Sequence, residues 1–205
     1  MQGDSAAMEH EAALVIGRPG VRQLGRTALG SSNGIDVQGM SAIALALIGD
    51  SVQVKRLTED LGKRFPEDTL MHVEYLPLIQ AAILLGGGNS AKEANTALQA
   101  LAPSAAYELG NANSSAVLNF FLYPAYLRGT ACLAAGQGSA AAVEFQKILG
   151  RPSVVSNEII GALAHLGLAR ALAMSGDGSK ARVAYQDFLA LWKDANSDIP
   201  ILQQA

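Results

Sequence analysis

An internal repeat narrows the folds open to this chain more than any other property of its sequence. Around Gly136, Gly129 stands seven residues before and Cys132 four before, while Ala141, Phe145 and Ile148 follow at five, nine and twelve. Gly176 carries the same pattern forty residues later, with Ala169, Leu172, Ala181, Tyr185 and Phe188 at the matching places. Gly49 gives Ala42, Leu45, Val54, Thr58 and Leu61, with Pro66 ending the second helix. The fourth anchor is Asn89, flanked by Ala82, Leu85, Ala94, Leu98 and Leu101, its glycines moved to Gly86, Gly87 and Gly88.

Two antiparallel helices joined by a tight turn explain the spacing. Such helices approach closely only where small residues face one another, which assigns Gly129 with Ala141, and Ala169 with Ala181, to the contact. The anchor glycine allows the left-handed backbone that ends a helix, and Phe145 or Tyr185 is expected to project into the junction with the neighbouring hairpin. Composition agrees. Half of the residues are apolar and 16% are charged, a globular balance, and Ala and Leu dominate over the β-branched and aromatic types that strands favour. The expected fold class is all-α, a single repeat domain over residues 1–205.

The pattern places hairpins at about 36–64, 69–101, 115–149 and 157–193, after an incomplete one at about 4–30. Residues 198–205 read as the start of a capping helix that stops after about two turns, so self-association through uncapped ends, near Phe188 and Leu191, is expected. Pro19, Pro66, Pro103 and Pro152 sit near helix limits. Pro77 and Pro124 each lie five residues before a small residue, Ala82 or Gly129. Either the first helix starts upstream of the proline and bends there, or it starts at the proline after a separate turn.

Chemistry is thinly represented. A net charge of −3 offers no broad basic field for nucleic acid, and no stretch is long and apolar enough to span a bilayer. The run Gly86 to Lys92 superficially suggests a phosphate cradle but lacks the Gly-Lys-Ser/Thr ending, so a helix-joining turn is the better reading. His10, His72 and His165 are far apart and no His/Cys/Asp/Glu set has zinc-like spacing. Cys132 falls on a buried repeat position, and Ser51, Ser90, Ser139 and Ser179 gather at helix starts, where capping explains them. Arg18, Arg22 and Arg26 form a stripe at four-residue spacing that reads as a solvated helix face. No catalytic set, metal site or cofactor site emerges.

At these offsets the chain resembles the tetratricopeptide repeat family over residues 36–193, although copies recur at 40 and 47 residues rather than about 34, and the early tryptophan of a first helix is missing. More narrowly, Tyr123-Pro124-Ala125-Tyr126-Leu127-Arg128-Gly129, the run from Ile160 to Arg170 and Phe188 to Asp194 resemble the C-terminal repeat region of large bacterial signalling proteins, serine/threonine kinases or winged-helix regulators. The resemblance implies a right-handed superhelical stack of hairpins and a non-catalytic scaffold binding a peptide or partner helix in its concave groove. It equally admits a ligand-sensing region of a signalling kinase or transcription regulator, cytoplasmic or extracytoplasmic.

In the family the groove is lined by first helices. Helical spacing puts Tyr123, Tyr126 and Thr130 on one strip, continued by Ile79 and Ile83 before it and by Leu163, Leu166, Arg170 and Met174 after it. Arg128 stands apart, because Ala81 and Leu168 occupy its place in neighbouring copies, and a charge between helices requires a partner.

Overall fold

The computed structural model describes residues 26–27, 29–30, 32–86, 91–102, 122–155 and 159–193. Every regular element among them is helical, as the composition predicts. The chain divides into two compact units, 1–104 and 105–205.

In the first unit, α1 (Ile35–Leu47) and α2 (Ser51–Arg64) form a hairpin, and α3 (Leu76–Gly86) and α4 (Ala91–Ala100) a second. In the second unit, α5 (Leu122–Ala134) pairs with α6 (Gly138–Leu149), a short α7 (Pro152–Val155) follows, and α8 (Ile159–Met174) pairs with α9 (Gly178–Leu191). Of the incomplete first hairpin, helical residues are described only at 26–27 and 29–30; the rest, with 198–205 and the upstream part of the 115–149 hairpin, lies outside the described residues.

The turns bear out the anchor glycines. Gly49, Gly136 and Gly176 have φ of 78°, 73° and 83°, a region that residues with a Cβ seldom enter. At all three the same two bonds close the helix. The glycine N–H donates three residues back, to Ala46, Leu133 or Ala173, and the next N–H donates five back, to Leu45, Cys132 or Leu172. This is the Schellman arrangement, which satisfies carbonyls that the helix end would otherwise leave open.

The helix starts differ from expectation. Ser51 is the first helical residue rather than the cap, and Ser139 and Ser179 stand one place further in. A hydroxyl inside the helix no longer faces the open N–H groups of the first turn. Asp177 holds the capping position instead and accepts from the Lys180 N–H at 3.2 Å, while Ser179 donates to the same carboxylate.

Pro77 resolves in favour of an upstream start. Thr69 and Leu70 are already helical, and a π-helical turn, Met71–Tyr75, runs directly into α3. The Leu76 N–H reaches five residues back to Met71 O. The wider turn accommodates a proline that has no N–H to give. For Pro124 the corresponding residues, 115–121, lie outside the described residues.

Core packing follows the small positions. In the first unit α1 and α3 run parallel, Gly86 lying against the backbone of Ala46 and Leu47 and Gly39 against the Tyr75 ring. In the second unit α6 lies antiparallel to both α5 and α8, and Phe145, 1% exposed, fills the seam. A Cβ built at Gly129 would stand 2.7 Å from its ring, and one at Gly167 2.5 Å. Gly129 therefore makes room for Phe145. Burying such a ring contributes roughly 1.5–3 kcal/mol.

At the end of α9, Phe188 is fully buried, with the Trp192 ring centroid 6.0 Å away. It turns inward instead of contributing to an open stacking face. Leu191, three residues on, is 60% exposed.

Candidate binding face and cleft

The strip read from the sequence divides between the units. Ile79 and Ile83 belong to α3 of the first unit, the other seven residues to α5 and α8 of the second. Ile79 and Leu166 have no accessible surface, so they hold their units together and offer nothing to a partner. The reason is compositional. Both α3 and α8 are apolar nearly all round, and such helices carry little periodic signal to separate an inner from an outer face.

On α5 the three residues of the strip share one degree of exposure. Tyr123, Tyr126 and Thr130 are half-buried, while Leu122, Ala125, Leu127 and Gly129 between them are buried. Thr130 Oγ1 donates to the Tyr126 carbonyl at 3.0 Å. The Tyr126 ring meets Phe145 edge-on, centroids 6.1 Å apart at 65°. Burial pushes the Tyr126 phenol up to about 12, with a hydrogen bond involving Thr130 and the nearby Tyr123 phenol as lesser influences. The hydroxyl is accordingly protonated at neutral pH. Tyr126 thus links the aromatic seam to the surface. On α8, Leu163 and Arg170 are half-buried and Met174 is 37% exposed.

Arg128 is buried and paired. Its Nε and one terminal nitrogen donate to the same oxygen of Glu144 at 3.1 and 2.8 Å, and Lys147 Nζ donates to the other oxygen at 2.7 Å. Burial alone would raise the Glu144 carboxyl. The hydrogen bonds from Arg128 and Lys147 outweigh it and hold the group below the usual carboxylate range. The arginine therefore ties α5 to α6 and does not reach into a groove. Nearby Cys132 is also buried, and burial, then the Glu144 charge, raise its thiol, which suppresses the nucleophilic thiolate.

A cleft in the first unit was not anticipated. In the first unit a cleft of about 650 Å³ opens beside α2, with Gln53, Arg56, Leu57, Asp60 and Arg64 along one wall. Its signal lay in the spacing of those polar residues, which by itself also describes any solvated helix face. Of the arginine stripe, only Arg26 is among the described residues, and it pairs with Asp50 at 2.9 Å and Gln53 at 3.1 Å. Among the described residues no His/Cys/Asp/Glu group is placed to hold a metal, and no helix is long and apolar enough to cross a membrane.

Comparison with protein-family models, curated proteins and solved structures yields no match to this chain.

Proposed function

We propose that this chain is a helical repeat module of the tetratricopeptide type that binds a peptide or partner helix along its first-helix face. The observation that carries the reading is the division of labour on α5. One side is spent on Phe145 and Glu144, while Tyr123, Tyr126 and Thr130 keep accessible surface at three- and four-residue spacing. Tyrosine suits such a role, with a large rigid area and a polar tip. The repeated glycine turn and the resemblance of residues 36–193 support the family assignment and, with it, a superhelical stack.

Selection of a displayed peptide library on the full chain tests the reading. Enriched peptides should lose binding to Tyr123→Ser and Thr130→Lys variants whose melting temperatures are unchanged. Binders indifferent to both variants, or no enrichment, would contradict it.

A second reading, a ligand-sensing region of a bacterial signalling kinase or transcription regulator, draws its support from the cleft beside α2.

A further inference from the structure

The cleft in the first unit has a chemistry of its own. One wall is a stripe of α2 at positions 53, 56, 57, 60 and 64, and the other is formed around Leu29 and Asn33. Its volume of about 650 Å³ falls within the usual range for small-molecule sites, roughly 300–1,000 Å³.

The hydrogen bonds fix the orientation of each amide in turn. Gln38, 5% exposed, points its Nε2 at the carbonyls of Ser32, at 2.9 Å, and Leu29, at 3.5 Å, so this atom is the donor. With two hydrogens for three acceptors, this Nε2 shares a bond that reaches Asn33 Oδ1 at 3.3 Å, which leaves the Asn33 Nδ2 hydrogens uncommitted. Gln53 Oε1 accepts from Arg26 Nε at 3.1 Å, so the Gln53 Nε2 hydrogens are uncommitted as well.

Charges follow the same logic. Arg64 is engaged by Asp60 at 2.7 Å and by Gln38 Oε1, and Arg26 by Asp50. Arg56 stands on the α2 wall and, among the described residues, has no hydrogen-bond or ion-pair partner. Two guanidiniums and one carboxylate line the cleft, a formal balance of +1. The uncommitted groups of Asn33, Gln53 and Arg56 are all donors, against the one Asp60 oxygen that Arg64 leaves unengaged, and Leu29 and Leu57 supply apolar surface beside them.

From this donor excess we infer that the cleft binds a small aliphatic carboxylate. The planar Arg56 guanidinium meets the carboxylate in two parallel bonds, the Asn33 and Gln53 amides add further donors, and the hydrocarbon tail lies on Leu29 and Leu57. The site stands whether the second unit binds a peptide or not.

Nuclear magnetic resonance titration of the full chain tests it, with hexanoate as the probe and acetate, inorganic phosphate and hexylammonium as the other arms. Hexanoate should shift the side-chain amide signals of Asn33 and Gln53 saturably and bind more tightly than acetate, with no saturable response to hexylammonium or phosphate. Arg56→Gln, a change at an exposed residue, should weaken hexanoate by about tenfold without moving the melting temperature. Asn33→Asp, which replaces a donor amide by a carboxylate, should weaken it as well. Hexanoate binding that survives both substitutions, or no saturable response, would overturn the site, and preferential binding of phosphate would overturn the carboxylate assignment.

Discussion

The hairpins α1–α2 and α5–α6 share a turn and differ in their seams. Both close on a left-handed glycine, Gly49 or Gly136, with the same pair of backbone bonds. Nine residues after that glycine, however, α6 has Phe145 and α2 has Thr58. Phe145 is clamped between Gly129 and Gly167 and closes a dry junction of three helices. Thr58 is half-buried and turns its hydroxyl back to the Val54 carbonyl of its own helix at 2.7 Å. In its unit long polar side chains, Gln38 with Arg64 and Arg26 with Asp50, bridge the elements, and a cleft remains between them. The turn thus sets the hairpin, while the residue nine places on decides whether a ring fills the seam beside it.

The largest effect should come from emptying the dry seam. Phe145→Ala is expected to destabilise the second unit by about 3–5 kcal/mol, measured by urea unfolding monitored through Trp192, the chain's single tryptophan. A loss below about 1 kcal/mol, the size of a typical surface change, would show that the seam is not a core.

Glu144→Gln should follow, costing about 1.5–3 kcal/mol at neutral pH by weakening charge-assisted bonds to buried Arg128. Its pH dependence has a definite sign. The native carboxyl lies below its ordinary value, so its contribution is fully present above the unfolded value of about 4.3 and vanishes as pH falls through the lowered native one. The gap in stability between wild type and Glu144→Gln should therefore narrow on acidification below about pH 5. A gap independent of pH would mean that the ion pair contributes nothing.

Overfilling the seam is the next step down. Gly129→Leu drives a side chain into the Phe145 ring and should cost about 1–3 kcal/mol. An unchanged melting curve would separate α5 from that ring. At the first hairpin the matching position should be nearly silent, with Thr58→Val staying within about 0.5 kcal/mol in the same assay. A loss comparable to that of Phe145→Ala would erase the contrast between the two seams.

Much of this arrangement was legible in the sequence for definite reasons. A glycine at the end of an apolar run signals a left-handed turn because other residues seldom adopt one, and all three turn glycines at 49, 136 and 176 take that form. The partner of Arg128 was anticipated because a charge at an apolar repeat position cannot be left alone, and Glu144 supplies it. The inner face of α8 was not legible, since Leu163 and Leu166 look alike until packing buries one of them completely. Capping failed by one residue at Ser51 and by two at Ser139 and Ser179, shifts that periodicity does not resolve and side-chain geometry does. The cleft escaped because amide orientation depends on partners contributed by Ser32, Leu29 and Arg26, which no linear spacing joins.

The central claim, that one aromatic ring joins three helices of the second unit between two residues without side chains, is open to direct measurement. Nuclear Overhauser contacts from the Phe145 ring protons to the α-protons of both Gly129 and Gly167 should be strong, with ring-current shifts on both glycines. Contacts to only one glycine, or to neither, would contradict it.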